Sequence, residues 1–288
     1  MAEEVKEKSS IRVIIHSFFV VPFIIAAFGV LVFFIWSLLT YEPKSAEEFL
    51  VDVKVGGATK RWQSAYELSK LLSNPDFKPV SDRFVAEMTS TYQYAQNDPN
   101  PRVRQYLIRA MGQTNHPSFV QTIRSALNET DENVVADAVF ALSFYHDIEN
   151  SKLIENKVGH ASSFVRNRIA IALGVMKSVN GNKSLRSLLS DAEPNVRWNA
   201  AISLAKHGDS SGRVELLNLL DRTYFSRFED IDRYEKEQAM MVAVKASALL
   251  DDAELNEALL KLSKNDDNLK LRDIARKALE SRGIFDAS

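Results

Sequence analysis

The feature that most constrains the fold is an apolar pattern that recurs every 31 residues between Asp98 and Gly208. Each copy opens on a valine, and further apolar side chains follow five and eight positions later. A second set of apolar positions, beginning at Ile123, repeats with the same period. Self-similarity at a fixed period of this length, with apolar residues at helical spacing, is typical of a repeat array. We therefore predict that each unit is a helical hairpin; the opening valines are Val103, Val134, Val165 and Val196.

Diverged copies extend the pattern in both directions. Residues 46–55 predict a first helix, and a copy with the same two offsets opens at Lys60. The surplus residues before the regular block are assigned to a long helix over about 81–96. The last copy runs from Leu271 to Leu279. End repeats must face water and are usually atypical, so we predict about seven hairpins in a solenoid over residues 46–288.

An insertion at about residues 221–236 interrupts the register once. The pattern is predicted to resume at Met241, with Ala246 and Leu249 in the core. The insertion is rich in arginine and aromatic residues, which dominate protein interfaces because they combine large contact area with directional polar groups. These residues are our first candidate for a partner site, namely Arg222, Tyr224, Phe225, Arg227, Phe228, Arg233 and Tyr234. In the alternative interpretation, Phe225 and Phe228 fold back over the neighbouring helices while the charges remain in water.

Two tryptophans occupy the same position in their repeats. Trp62 and Trp198 each follow directly after an arginine near the start of a second helix. They are candidates for the two ends of a concave binding surface. The alternative is that each is a large packing residue over an adjacent repeat.

An apolar run of residues 13–40 precedes the repeats. About 20 residues cross the hydrocarbon layer of a bilayer, so the run is long enough to span it. A secretory signal peptide has a shorter apolar core and a cleavage site of small residues, which this sequence lacks after Leu39. We predict a polar tail over residues 1–12, one transmembrane helix over 13–40 and a linker over 41–45.

Basic residues near the span indicate its orientation. Lys6, Lys8 and Arg12 precede the apolar run, whereas Lys44 alone follows it closely. Cytoplasmic flanks carry an excess of Lys and Arg. The expected arrangement is a single pass through a bacterial inner membrane, with the N-terminus in the cytoplasm and the solenoid in the periplasm.

Acidic and basic columns accompany the repeats. An acid precedes most second helices and an arginine follows near their start, most clearly at Asp98 with Arg104 and at Asp191 with Arg197. His160 replaces one of the acids, and Val135 and Val242 depart from the arginine column. A carboxylate at a helix start accepts backbone N–H groups and is favoured by the helix dipole. We predict a structural ladder in which an arginine of the next repeat bridges to each acid. The predicted ladder residues are Asp98, Arg104, Arg166, Asp191, Arg197 and Arg272.

These columns resemble the HEAT repeat family, in particular its short bacterial type. The resemblance covers most of the sequence after residue 45. It implies a right-handed α-solenoid, an all-α fold in which stacked hairpins present a long surface to protein partners. HEAT-like proteins also include bilin lyases, so an enzyme of the lyase type acting on a small molecule or a protein-bound cofactor is the alternative.

Sites for chemistry are sparse. The chain has no cysteine, which excludes thiolate ligands and cysteine nucleophiles. None of the five histidines has a partner at metal-binding helical spacing, and the Gly56-Gly57 doublet lacks the rest of a phosphate loop. A formal net charge of -2 gives no overall attraction to nucleic acid. We expect no enzymatic activity, metal, cofactor or nucleic-acid partner.

The combined prediction is a membrane-anchored scaffold or adaptor. Stacked hairpins bury a continuous core and leave an extended surface that suits protein partners. The anchor favours a role as an accessory subunit of an integral membrane complex. Bacterial HEAT-like proteins with a similar anchor and Arg-Trp opening resemble accessory proteins of ABC-type transporters. The oligomeric state and the partner are left open.

Overall fold

The computed structural model describes residues 16–39, 44–74, 81–145, 147–176, 178, 180–229 and 231–284. Within these ranges the regular structure is entirely helical, so the prediction of an all-α protein is confirmed. The chain divides into two compact units, Met1–Ser45 and Ala46–Ser288.

The N-terminal unit contains one long apolar helix. A π-helical turn, His16–Val20, leads into α1, Val21–Leu39. The stretch Phe18–Leu39 is 22 residues long, has none of its side chains buried, and is long and apolar enough to cross a membrane. The predicted tail, 1–12, lies outside the described residues, as do residues 41–43 of the predicted linker.

The second unit is a stack of seven helical hairpins, each with a first and a second helix. Seven hairpins are the number that the sequence predicts. In order, they are α2 (Ala46–Val55) with α3 (Ala58–Leu72), α4 (Asp82–Ala95) with α5 (Pro101–Thr114), α6 (Val120–Ala126) with α7 (Glu132–Leu142), α8 (Ile148–Glu155) with α9 (Ser163–Met176), α10 (Gly181–Leu188) with α11 (Pro194–Lys206), α12 (Arg213–Leu220) with α13 (Arg233–Ser247), and α14 (Ala253–Asn265) with α15 (Leu269–Glu280).

Short polar side chains set the start of many of these helices. The Asp131 carboxylate accepts hydrogen bonds from the backbone N–H groups of Asn133 and Val134 at the start of α7. Asp232 and Glu235 form a reciprocal capping box at the start of α13. Each such cap is worth about 0.5–2 kcal/mol, because it satisfies backbone donors that the helix leaves unpaired.

Consecutive second helices pack directly against one another from α3 to α15. The 31-residue apolar columns lie in this contact, and Val103, Val134 and Val165 are fully buried. Small residues bring the helices close together. A Cβ atom added to Gly112 would lie 2.5 Å from the Cβ atom of Ala141 in the next repeat, so only glycine fits there.

The register of α13 differs from the sequence prediction. Its capping box starts the helix at Arg233, so the insertion ends earlier than the predicted residue 236. Met241 and Ala246 are buried as expected, whereas Leu249 is 57% exposed. The helix ends at Ser247, which is fully buried, and Leu249 lies in the turn beyond the helix end, where its side chain faces solvent. Part of the insertion forms a short 3₁₀ helix, Arg222–Arg227.

Candidate functional site

The arginines near the start of the second helices make a recurring contact. In each case Nη1 donates to a backbone carbonyl just before the arginine's own helix, and Nε donates to a carboxylate that lies later in the chain, mostly in the next repeat. The Nη1 distances to the carbonyl oxygens are 3.1 Å for Arg61 to Gly56, 2.9 Å for Arg104 to Asp98, 2.8 Å for Arg166 to His160 and 2.8 Å for Arg197 to Asp191. The Nε distances to the carboxylate oxygens are 2.6 Å for Arg61 to Asp98, 3.2 Å for Arg104 to Glu129, 2.6 Å for Arg166 to Asp191 and 3.0 Å for Arg197 to Glu215.

The direction of this ladder is opposite to the one we expected. Each arginine reaches forward to the acid of the following hairpin, because its Nη1 group is held by the turn of its own repeat. Arg272 lies in the last described hairpin, α14 with α15, and it forms no ion pair with any described residue. Where Val135 replaces the arginine, His160 replaces the acid that it would contact.

Asp191 offers a direct test of the ladder through pH. The hydrogen bonds from Arg166 lower the pKa of its carboxyl group. A lowered folded-state pKa means that the stabilisation is complete above the ordinary value of about 3.9 and is lost as the pH falls through the folded-state value. We expect Asp191→Asn to lower the free energy of unfolding near neutral pH by about 2 kcal/mol.

The difference between Asp191→Asn and wild type should shrink below a pH of about 4. Urea unfolding of the full-length protein in a nonionic detergent, followed by circular dichroism, measures it. Glu132→Gln, at an exposed position on α7, is the matched control and should change little. An undiminished difference in acid would show that the lost stability does not come from the ionised carboxylate.

The aromatic residues of the insertion lie in a cluster around Trp198. Its ring makes edge contacts with the rings of Tyr224, Phe225 and Phe228, with centroids 6.3, 5.9 and 5.3 Å apart. The indole N–H of Trp198 donates to the Tyr224 hydroxyl at 3.3 Å. Trp198, Tyr224 and Phe225 are buried and Phe228 is half-buried, an arrangement that matches the alternative interpretation in which these rings pack within the fold. The insertion folds back onto its neighbours because burial of these rings is favourable.

Arg222 is also occupied within the fold. It lies 31 residues after Asp191, at the position of the acid column, and its charge is inverted. Arg197 therefore contacts Glu215 instead, and the Arg222 guanidinium binds both carboxylate oxygens of Asp266 at 2.7 and 2.6 Å. This pair ties the insertion to the last hairpin.

The remaining insertion residues lie at the surface. Arg227 is exposed and stacks over the Tyr224 ring, with its Cζ atom 5.6 Å from the ring centroid. Arg233 is exposed and pairs with Glu237 one turn along α13. Tyr234 is 69% exposed. The structure thus separates the predicted partner residues into a buried cluster and an exposed set on or beside α13.

One stripe of each second helix faces solvent. We call the combined stripes of α3, α5, α7, α9, α11 and α13 the second-helix face. All of its side chains are exposed or half-buried except Asp137 and Ile202. Its members are Thr59, Gln63, Tyr66, Lys70, Arg102, Tyr106, Arg109, Gln113, Asn133, Asp137, Phe140, Phe144, Phe164, Arg168, Ile171, Val175, Asn195, Asn199, Ile202, Lys206, Glu235, Gln238, Val242, Lys245 and Leu249.

Side chains of adjacent repeats contact one another along this face. The Tyr66 and Tyr106 rings meet edge to face at 5.1 Å between centroids. One turn further along α5, Arg109 donates to both carboxylate oxygens of Asp137 at 3.1 and 2.9 Å. Trp62, the other predicted partner residue, is half-buried and lies beneath Arg102, with the Cζ atom 5.6 Å from its ring. Trp62 therefore borders the face, whereas Trp198 lies below it.

A groove of about 370 Å³ opens in the face between α11 and α13. The insertion separates these two helices in sequence, and the groove lies where they meet. Its lining is mainly apolar, with polar groups of Asn195, Asn199, Tyr234, Glu235 and Gln238 around it. The apolar lining residues are Trp198, Ile202, Leu219, Ile231, Ala239 and Val242. Such a site can hold an apolar side chain while the amides bind a neighbouring backbone.

Sequence reasoning missed most of the groove and the face. Asn199, Ile202 and Val242 were not candidates, because an isolated polar or aliphatic residue carries little signal. The 31-residue period could have predicted the face. Once the buried columns are known, the positions between them in each second helix form the solvent-facing stripe.

Comparison with known proteins agrees with this architecture. The family model described as HEAT repeats matches residues 89–156 and 150–227. The structure is similar to that of YibA from Escherichia coli, with a TM-score of 0.55 and 20% identity over 82% of this chain and 81% of that one. It is also similar to the complex of CpcE and CpcF of phycocyanin lyase from Nostoc, with a TM-score of 0.55 and 15% identity over 84% and 90%.

The chain therefore contains HEAT repeats over residues 89–227, and its described residues after 45 form an α-solenoid. At these identities the two structural likenesses define the fold alone. No curated protein sequence matches this chain.

Proposed function

We propose that this protein is a non-enzymatic, membrane-anchored scaffold that binds a protein partner through its second-helix face. The observation that carries the proposal is the groove between α11 and α13. It combines an apolar floor with convergent amide groups, at the place where the insertion breaks the regular stacking of the repeats. An extended peptide that places one apolar side chain in the groove would match both features.

The anchor is assigned to the helix Phe18–Leu39. Its large apolar side chains are well exposed, for example Phe23 at 72% and Phe33 at 67%. Each such side chain gains about 1.5–3 kcal/mol on leaving water, so an apolar surrounding is strongly favoured. We place this helix across a bacterial inner membrane, with the N-terminus in the cytoplasm and the solenoid in the periplasm, on the distribution of basic residues.

A scaffold with one membrane helix is well suited to an accessory position in an integral membrane complex. The helix supplies lateral contacts in the bilayer, and the solenoid supplies a partner surface outside it. An ABC-type transporter is the assembly that we propose first.

The experiment that tests this function is affinity purification of the full-length protein in mild detergent, with quantitative mass spectrometry. We expect an integral membrane complex to co-purify with wild type. Val242→Arg places a charge in the groove and should reduce recovery of that complex about tenfold or more. The matched control is Val214→Arg, at an exposed apolar residue of α12 away from the groove. Equal recovery with both variants would contradict the proposal.

A further inference from the structure

The charge of the second-helix face is opposite in sign to that of the whole chain. The chain has a formal net charge of -2. On the face, the acidic residues are Asp137, which is buried and bound to Arg109, and Glu235, which is exposed and lines the groove. The basic residues of the face are Lys70, Arg102, Arg109, Arg168, Lys206 and Lys245. This separation of charge concentrates a positive potential on the surface that carries the groove.

Two of these arginines are held in place by aromatic rings and lack an acidic partner. The Arg168 Cζ atom lies 5.2 Å from the Phe140 ring centroid and 5.6 Å from that of Phe164. Arg102 stacks on Trp62. Neither arginine forms a salt bridge with any residue that the structure describes. Elsewhere in the solenoid, most of the arginines on the ladder are paired with carboxylates.

Stacking leaves the edge of a guanidinium group free to bind. The rings lie 5.2 to 5.6 Å from the guanidinium carbon, and N–H groups in the guanidinium plane can donate two parallel hydrogen bonds to a carboxylate. Because the rings fix the side chain before binding, little conformational entropy is lost when the carboxylate arrives. Arg168 and Arg102 therefore have the properties of preorganised carboxylate-binding residues.

We infer that the partner segment bound by the second-helix face is acidic, with carboxylates that pair with Arg168 and Arg102. This inference rests on the proposed function and specifies the chemistry of the partner. The occupant is an extended protein segment that combines glutamate or aspartate residues with an apolar residue for the groove. Six basic residues on the face outnumber its two acids, Asp137 and Glu235, and this excess of positive charge is complementary to such a segment.

The test is fluorescence anisotropy with the full-length protein in nonionic detergent. The probe is a short labelled synthetic peptide that contains several glutamates and one leucine. We expect it to bind at least about tenfold more tightly than the same peptide with glutamine in place of glutamate. The affinity should fall as the NaCl concentration rises from about 50 to 300 mM, since salt screens exposed charges.

The decisive variant combines Arg102→Gln and Arg168→Gln, which should weaken binding of the glutamate peptide about tenfold or more. Lys152→Gln with Lys183→Gln makes the same change in net charge on the first helices α8 and α10, and should leave binding unchanged. Unfolding midpoints of both double variants verify that each is folded. Equal binding of the glutamine peptide, or wild-type affinity in the arginine variant, would overturn the inference.

A single-stranded DNA oligonucleotide is the second probe. Tighter binding of DNA than of the acidic peptide would also overturn the inference, since the partner would then be a nucleic acid. If the glutamate peptide does not bind but Val242→Arg still reduces recovery of the membrane complex, the acidic character of the partner alone is refuted. Failure of both experiments would refute the proposed function as well.

Discussion

Replacing Trp198 with alanine is expected to lower the free energy of unfolding by about 3–5 kcal/mol. The side chain is 6% exposed, and its ring contacts three aromatic residues of the insertion. The substitution leaves a cavity and removes the donor that bonds the Tyr224 hydroxyl. Because these contacts attach the insertion to α11, we expect the insertion to lose protection against amide hydrogen exchange before the first five hairpins do.

Tyr234→Ala is the matched control for this prediction. Tyr234 is an aromatic residue of the same region, but it is 69% exposed. Its removal should change stability by about 0.5 kcal/mol or less. Urea unfolding and hydrogen exchange of the full-length protein in detergent measure both variants. A stable Trp198→Ala protein that failed only to recover the membrane complex would restore the interpretation of Trp198 as a partner residue.

Asp266→Ala is expected to destabilise the protein by about 3 kcal/mol, since it leaves the partly buried Arg222 guanidinium without its partner. Burial opposes ionisation of Asp266, but the hydrogen bonds from Arg222 and from the backbone of Asn268 outweigh it and lower the pKa of the carboxyl. The carboxylate also accepts the Asn268 N–H at 2.8 Å, just before α15. Both interactions disappear together in the alanine variant.

The effect should be concentrated in the last hairpin, α14 with α15. Hydrogen exchange is expected to accelerate there, while the hairpins before the insertion keep their protection. Asp267→Ala changes an exposed carboxylate at the adjacent position and serves as the control, with little expected effect. Uniform loss of protection along the solenoid would contradict the view that this ion pair ties the last hairpin to the insertion.

The arginine ladder could be predicted in its composition but not in its direction. The columns of acids and arginines are visible because they share the 31-residue period. Which neighbour an arginine reaches depends on where its guanidinium is held. In the structure, the turn before the arginine's own helix binds Nη1, and the remaining N–H groups are left to face the following repeat. The 31-residue period places an acid position in the repeat before and in the repeat after each arginine, so the period alone cannot distinguish the two directions.

The candidate site was predicted only in part for a related reason. The insertion is conspicuous in composition, but aromatic residues stabilise cores and interfaces by the same burial of apolar area. Composition therefore could not separate Phe225, which is buried, from Tyr234, which is exposed. The groove depends on Ile202 and Val242, which are ordinary residues in sequence and become neighbours only when α11 and α13 meet.

The sequence by itself determined the architecture of this protein. A constant period with helical spacing is typical of a solenoid, in which similar hairpins stack and bury the apolar columns between them. Only the tertiary structure decided which aromatic residues face the partner surface and which fill the core. Where the period fails, local pattern no longer specifies the environment of a side chain. The 3₁₀ helix packs Tyr224 and Phe225 onto Trp198 of α11, so all three rings are buried by a contact between segments that no repeat relates.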